Sequence, residues 1–504
     1  MSIARKILWN TVSQLIGKVF VAVIGVFVIK IITNYLGKTG YGEYSTAYDF
    51  VALFIIISDL GLHTIGIREM SRDTANLKKI IGNILTVRII LALLVIFIAG
   101  VLAHFIPQYQ NSHIPTAVWL VGGVVFLNLI AMTISSVLQV YLKMEYSSLA
   151  SIIGRVINLA YMVFVVYAWN PANRDIGFYQ MIVAGIIGNG AILAVTWYHA
   201  SKLSKIRLEF DFSFIKDMLA KALPYGIALI LSAVLFQVGS IALSLFRTKA
   251  EVGIYGLPMR MMDAIAIIPL YFMNAVFPPL TRAINRRDGS HEKVIQYAFD
   301  FLVIGGLPIV LGAYVLSYPL ISIVSSPEFL SNPVQQMFGS DKVLPILILG
   351  LLFSFVNSLF GYILIADNRQ GKILLRNLIG VFVAVALNVI FVPRFGVKAA
   401  AYVNVVTGIY ISVSSYFIAR HYLKFRLNPK NALKAAFCAV VMAACIYFIR
   451  EPFFETLKNK SLFVLIPLGA AIYTVMLFFT GTVTKEMLDI VKKKPQVEIL
   501  PEDL

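Results

Sequence analysis

Apolar stretches of about twenty residues recur along the whole of this chain, each long enough to cross a hydrocarbon layer of roughly 30 Å at about 1.5 Å per residue of helix. That pattern excludes most folds. The stretches are continuously apolar and lack the two-residue alternation of a membrane barrel, so helices are the expected spanning element. Composition agrees: of 504 residues, 59% are hydrophobic and 13% charged, against roughly 25% charged in a soluble domain. The sequence therefore predicts an all-α integral membrane protein of about fourteen transmembrane helices.

The spans are expected at about 8–35, 44–66, 81–106, 116–142, 149–169, 176–200, 222–246, 253–280, 294–322, 343–366, 374–392, 397–422, 432–450 and 461–481. An even number puts both termini on one side. The basic loops Lys202 to Lys221, Arg282 to Lys293 and Arg420 to Lys434, with the tail Lys492-Lys493-Lys494, mark that side as the cytoplasm. Roughly two thirds of the 43 Lys and Arg fall in inward loops and tails, so the formal charge of +18 reads as a topology signal rather than a nucleic-acid footprint. Met1 to Lys6 lead into an apolar run reaching about Tyr35, too long for a cleaved signal peptide, so the first span is expected to stay in the protein. No connection is long enough for a separate soluble domain; the largest outward loop runs roughly from Ser325 to Lys342. Cys438 and Cys445 share one apolar span and are expected to be free thiols.

The chain also looks duplicated. Tyr41-Gly42-Glu43-Tyr44 precedes the second span and Val252-Gly253-Ile254-Tyr255 the eighth; each is followed by a long span and a basic loop ending in Arg72-Asp73 or Arg287-Asp288. Asp175-Ile176-Gly177 enters the sixth span as Arg394-Phe395-Gly396 enters the twelfth. Paired spans run the same way, which places the repeat axis along the membrane normal. The expected organisation is an N-terminal lobe of six spans over 1–201, a C-terminal lobe of six over 202–424, and two further helices with a cytoplasmic tail over 425–504. Prolines within spans concentrate in the second lobe (Pro224, Pro258, Pro269, Pro278, Pro279, Pro308, Pro319). They place bendable helices there, though static curvature explains any single one equally well.

Charged groups inside spans are costly, so they face protein or a hydrated cavity and are the default functional candidates. The cations are Lys18 and Lys30 in the first span, Arg88 in the third, Arg155 in the fifth and Arg260 in the eighth. Lys18, near mid-membrane and beyond snorkelling reach, is the strongest of them. Arg260 has Asp263 three residues on, on the same helical face, so a self-neutralising pair and a cavity role are equally open. Lys30 sits near the outer end of its span, within snorkelling distance of water. Arg88 and Arg155 lie close to inner ends, where an anchoring role competes with ligand contact. Among the acids, Asp49 falls opposite Arg260 when the two Gly-x-Tyr motifs are superposed, and Asp59 lies near the inner half of the same span. Each is either a site for a coupling proton or cation or the buried partner of Lys18 or Arg260, and Asp300 in the ninth span carries the same two readings.

Searches for catalytic chemistry come back empty. Gly37-Lys38-Thr39 resembles the end of a phosphate-binding loop, but Ile32 stands where its first glycine belongs. The six histidines have no metal-ligand spacing, and no nucleophile-elbow motif is present, so neither a metal, a cofactor nor an enzymatic activity is expected.

Asp59-Leu60-Gly61-Leu62, leading to Arg68-Glu69 and Arg72-Asp73, resembles the corresponding stretch of the polysaccharide-type flippases that export lipid-linked oligosaccharides. So does the run from Ala366-Asp367-Asn368-Arg369 through Asn388 and Val392-Pro393-Arg394-Phe395-Gly396-Val397-Lys398-Ala399-Ala400. The similarity covers nearly the whole chain; its motifs indicate the superfamily shared with multidrug extruders and lipid II flippases more firmly than the branch. The resemblance implies two six-helix lobes around a central cavity in the cytoplasmic membrane. It also implies alternating access to a polyprenyl-pyrophosphate-linked oligosaccharide held by cavity cations, with Lys18 and Arg260 in the kind of position where such cations occur. This chain departs from the more cationic members in carrying Asp49, not a base, in its second span. The implied partners are that substrate, membrane lipids and polysaccharide-assembly proteins; a coupling ion, H+ or Na+, is left open. A multidrug or organic-cation antiporter, favouring Asp49 or Asp59, and a lipid II-type flippase are the alternatives within the superfamily. A membrane-embedded glycosyltransferase is disfavoured by the lack of a sizeable outward loop.

Overall fold

The computed structural model describes residues 3–73, 76–169, 173–286, 289–334, 336–367 and 369–482. The Arg287-Asp288 motif, Asn368 and the basic tail Lys492-Lys493-Lys494 lie outside the described residues. Fifteen α-helices follow one another: α1 Ile3–Asp59, α2 Leu62–Arg72, α3 Leu77–Phe105, α4 Ile114–Val140, α5 Met144–Val163, α6 Arg174–Ser201, α7 Phe212–Phe246 and α8 Lys249–Arg286. The rest are α9 Ser290–Val315, α10 Ser317–Val324, α11 Ser340–Ala366, α12 Gln370–Phe395, α13 Val397–Tyr422, α14 Lys430–Leu457 and α15 Leu462–Phe479. Among the described residues the only extended pairing is a single bridge between Asn332 and Met337.

Among the described residues twelve helical stretches are long and apolar enough to cross a membrane. Two of them, Gly17–Arg72 and Lys430–Phe479, have 56 and 50 residues, enough for two crossings each at about 1.5 Å per residue. The first is broken where Gly37 takes φ 64° inside α1, a left-handed conformation that costs glycine least. The second is broken by the 3-10 turn Lys458–Ser461. Fourteen crossings are thereby accommodated.

Three expectations about spans change. The span predicted at 44–66 stops at Asp59, because Leu60 and Gly61 both adopt positive φ, and α2 continues as a separate short helix. The span predicted at 294–322 breaks at Leu316, so Pro319 lies within the first turn of α10. The four prolines of α8 do not break it: Lys249–Arg286 is helical throughout, because tertiary contacts outweigh the lost donors.

Helices α1 to α6 pack on one another, as do α8 to α13. α7 belongs to both sets. Its first turns bury Ile215, Met218 and Ala222 against Leu62, Met70, Ile81 and Ile134, whereas further along, Ser232 accepts from Asn377 of α12. A N-cap carboxylate starts it, Asp211 accepting from the Phe214 amide at 3.1 Å. α14 and α15 dock on α9 through Cys438, Met442 and Tyr473 against Ile304, Leu307 and Leu311. Cys438 and Cys445 are free thiols. Large rings on the rim, such as Phe448 and Phe463, each 77% exposed, suit lipid and not water. One end of the bundle carries the Gly37 kink and the loop 325–339; the other carries the linker 202–211 between α6 and α7. They are called the kink end and the linker end.

Candidate functional site

The two helix sets meet along α1 and α8, and two sequence motifs make that seam. A Cβ on Gly42 would stand 1.8 Å from the Lys249 carbonyl oxygen, and one on Gly253 would stand 2.1 Å from that of Lys38. No side chain fits at either position, so backbone packs on backbone. The Gly-x-Tyr repeat is therefore the self-facing contact of the two halves. Both later repeat glycines sit in comparable places: Gly177 lies against Tyr35, and Gly396 against Arg247 and Glu251, close to the turn joining the first two helices of each half.

Polar contacts then close the kink end. Glu43 Oε1 meets Lys249 Nζ at 2.8 Å, and its other oxygen meets His113 Nδ1 at 2.5 Å. Lys38 donates its amide to Glu328 at 3.4 Å, Thr33 donates to the Val324 carbonyl at 3.0 Å, and Tyr109 pairs with Ser244 at 2.8 Å. Among the described residues every ion pair between α1 and α8 lies at Glu43 or Asp49. Past that level Ile267, Ile268 and Leu270 of α8 and Lys18 of α1 are exposed, and among the described residues no further ion pair joins the two helices.

Arg260 sits at the base of the closed region. Its Nη2 reaches Asp49 Oδ1 at 2.8 Å and its Nη1 reaches Asp263 Oδ2 at 3.6 Å. Asp49 Oδ2 accepts from Ser240 at 2.5 Å and Ser45 at 3.3 Å. Asp49 is thus fully satisfied and 7% exposed, while Arg260 keeps 35% of its side chain exposed. Such a pair is neither dry nor free: the carboxylate is committed, and the guanidinium still presents donors to the cleft. Asp49 and Arg260, which match when the two motifs are superposed, are bonded to one another across the seam.

The other expected residues divide. Arg155 is exposed and stands, like Arg260, within electrostatic reach of Tyr44 and Tyr48 of α1, on the seam side of α5. Lys18 is exposed beside Gly17, which packs on Ser148 of α5. Neither has a carboxylate within ion-pairing distance among the described residues. Lys30 is exposed on the face that also carries Val19, Val23 and Phe27, as helical spacing requires. Arg88 is 1% exposed and bonded to Asp59 and to Thr133 at 2.5 Å, which ties α3, α1 and α4 together inside the first set. Asp300, also 1% exposed, accepts from Gln296 and from Asn431 at 2.8 Å each and so fastens α14 to α9. Arg88, Asp59 and Asp300 are thus held in place by protein partners away from the seam, whereas Asp49 and Asp263 stand at it.

One cation escaped the sequence reading. Arg376, a turn and a half into α12, is 7% exposed. It is held only by neutral oxygens: Asn357 Oδ1 at 3.3 Å, Asn377 Oδ1 at 2.6 Å and Ser415 Oγ. It lines a cavity of about 270 Å³ with Asp263, Asn404 and Thr407, and the Thr407 hydroxyl there has no hydrogen-bond partner. It falls inside the expected span 374–392 but was not among the candidate cations; the signal was Asn377 beside it, since a polar pair inside a span seldom faces lipid. No group of three or more His, Cys, Asp or Glu that could hold a metal exists among the described residues.

Comparison with known proteins places this architecture. Residues 3–284 match the family described as polysaccharide biosynthesis protein. An uncharacterized membrane protein of Methanocaldococcus jannaschii is 22% identical over 432 residues, 80% of this chain and 82% of that one. Among solved structures, the lipid II flippase MurJ in an inward closed conformation superposes with a TM-score of 0.67 at 15% identity, covering 94% of this chain and 98% of that one. An inward-facing multidrug resistance MATE family transporter of the MOP superfamily gives 0.62 at 14% identity, covering 81% and 97%. With more than half of its length matched by the family, the chain belongs to the polysaccharide biosynthesis protein family, and its helices are arranged as in those two membrane-protein structures.

Proposed function

We propose that the protein moves a polyprenyl-pyrophosphate-linked oligosaccharide across the cytoplasmic membrane by alternating access between an N-terminal lobe over 1–201 and a C-terminal lobe over 202–424. The observation that carries this reading is an excess of positive charge at membrane depth. Of the cations there, Arg88 is neutralised by Asp59 and Arg260 by Asp49 and Asp263, whereas Lys18 and Arg155 have no carboxylate partner among the described residues and the hydrogen bonds of Arg376 go to neutral oxygens. A pyrophosphate entering a low-dielectric layer needs such compensation, because a bare ion costs many kcal/mol there. Surplus cations in a hydrated cleft supply it while the polyprenyl tail stays in lipid. An organic-cation substrate would want the opposite surplus.

By the distribution of basic loops the linker end faces the cytoplasm, so the closed kink end faces outward. Substrate anion competes with Asp49 for Arg260. Breaking that pair removes one of the bonds holding the kink end shut, which couples loading to opening.

Lys18→Ala and Arg260→Ala are each expected to reduce surface glycan at least about tenfold in a complementation assay, with normal protein levels in the membrane. Wild-type export by both variants removes this site assignment. Asp49→Asn keeps the Ser240 hydrogen bond and releases Arg260; it is expected to leave the protein folded and to lower export by loosening the closed state.

A further inference from the structure

A second cavity lies away from the seam. It has a volume of about 880 Å³ and lies at the kink end of the second helix set, between the close of α9, α10, the first turns of α11 and α13, and the last turns of α14. That is within the range of pockets that enclose a small ligand, and none of the residues of the proposed substrate path line it.

Its walls carry aromatic rings and charged groups beside an apolar strip of Pro345, Ile346, Leu349 and Val405. Tyr318, Tyr402 and Tyr447 are exposed rings that contribute to the lining, and two are braced: Tyr318 lies edge-on to Phe454 at 5.4 Å, and Tyr447 lies under the Arg450 guanidinium at 4.4 Å. Between the rings stand Lys342, Arg450, Glu451 and Glu455. Arg450 is held by the Val315 carbonyl at 2.7 Å and lies 4.0 Å from Glu451, so its head is oriented and its charge is opposed.

The chemistry of this lining selects among ligands. An anionic lipid headgroup needs unopposed cations, but the lining carboxylates Asp341, Glu451 and Glu455 outnumber Lys342 and Arg450. An acyl chain needs an apolar slot and would strand the charged groups. A sugar fits both halves: its C–H faces lie on aromatic rings, and its vicinal hydroxyls donate to carboxylates and accept from guanidinium or ammonium. We propose that this pocket binds saccharide units of the transported glycan at the outer surface, a second site that receives the sugar chain after it leaves the seam. The proposal rests on the reading of the substrate as an oligosaccharide-lipid, and it concerns residues that play no part in that reading.

The test uses full-length protein in nanodiscs, titrated with lipid-free gluco-, galacto- and manno-configured tetrasaccharides and read by saturation-transfer NMR. At least one tetrasaccharide is expected to bind at millimolar concentration. Binding is expected to weaken by about tenfold or more in Tyr447→Ala and in Glu451→Gln and to be unchanged in Arg260→Ala, with all three variants melting like the parent. Absence of binding by the whole panel overturns the site, as does binding that survives both pocket variants. Displacement of the sugar by short-chain phosphatidylglycerol would mark a lipid pocket and overturn it too. Failure of the transport reading looks different: export then survives loss of Lys18 and Arg260 while the tetrasaccharide titration is untouched.

Discussion

Two arginine–aspartate pairs lie at membrane depth, and they behave differently because of what surrounds them. Arg88 and Asp59 join helices of the same set, and the arginine is 1% exposed; Arg260 and Asp49 join opposite sets, and the arginine is 35% exposed. The first pair is sealed, so it reports on folding. The second faces a cleft and can exchange its partner for an incoming anion, so it reports on conformation. Identical chemistry becomes scaffold or switch according to solvent access.

The largest effect should come from the sealed pair. Arg88→Ala leaves Asp59 without its cation and Thr133 without its donor, at a cost on the order of 3–5 kcal/mol, visible as a lower melting temperature and less protein in the membrane. The double variant Arg88→Met with Asp59→Leu should recover much of that stability, since apolar groups of similar volume often replace a buried pair without loss. The matching double change at Arg260 and Asp49 should keep the fold yet not restore export. Recovery of export there would make the two pairs equivalent and break the comparison.

A smaller effect is expected at the seam. Gly42→Ala drives a methyl group into the Lys249 backbone, and overpacking of this kind costs about 1–3 kcal/mol. The cost falls on the closed kink end alone. Labelling of a cysteine placed at Ser45 should therefore rise more than the melting temperature falls; equal labelling in parent and variant would show that the glycine contact does not hold the seam.

The smallest effect is a dependence on pH at the same end. Burial alone would lower the His113 pKa, but the Glu43 and Asp175 carboxylates, at 2.5 Å and 3.0 Å, outweigh it and raise the value. A raised pKa means that the stabilisation is complete below the ordinary imidazole value of about 6.5 and is lost as pH climbs through the raised one. Because the ring is partly exposed, the change should be about 1 kcal/mol or less. Melting temperature followed across that window should fall in the parent and stay flat in His113→Gln.

Helix positions were legible in the sequence because spanning a membrane demands a local property, a run of apolar residues, that each segment displays by itself. The Gly-x-Tyr repeat was legible for the same reason, and superposing it set Asp49 opposite Arg260. Partner choice was less so. Asp59 was expected to pair with Lys18 or Arg260, but α3 brings Arg88 to it, and Arg376 went unremarked until α11 and α13 surrounded it with Asn357 and Ser415. The break at Leu60–Gly61 also lay inside an apolar run that hydropathy reads as continuous.

By itself, then, the sequence determined that the chain is a bundle of membrane-crossing helices with a surplus of positive charge within its apolar stretches. Length, hydropathy and charge are additive along a chain and need no fold to be counted. Only the tertiary structure decided which cations are neutralised, which end is shut, and where the large pocket lies. Each of these depends on distances between residues remote in sequence, and at low dielectric a few ångströms separate a bound counter-charge from a free one.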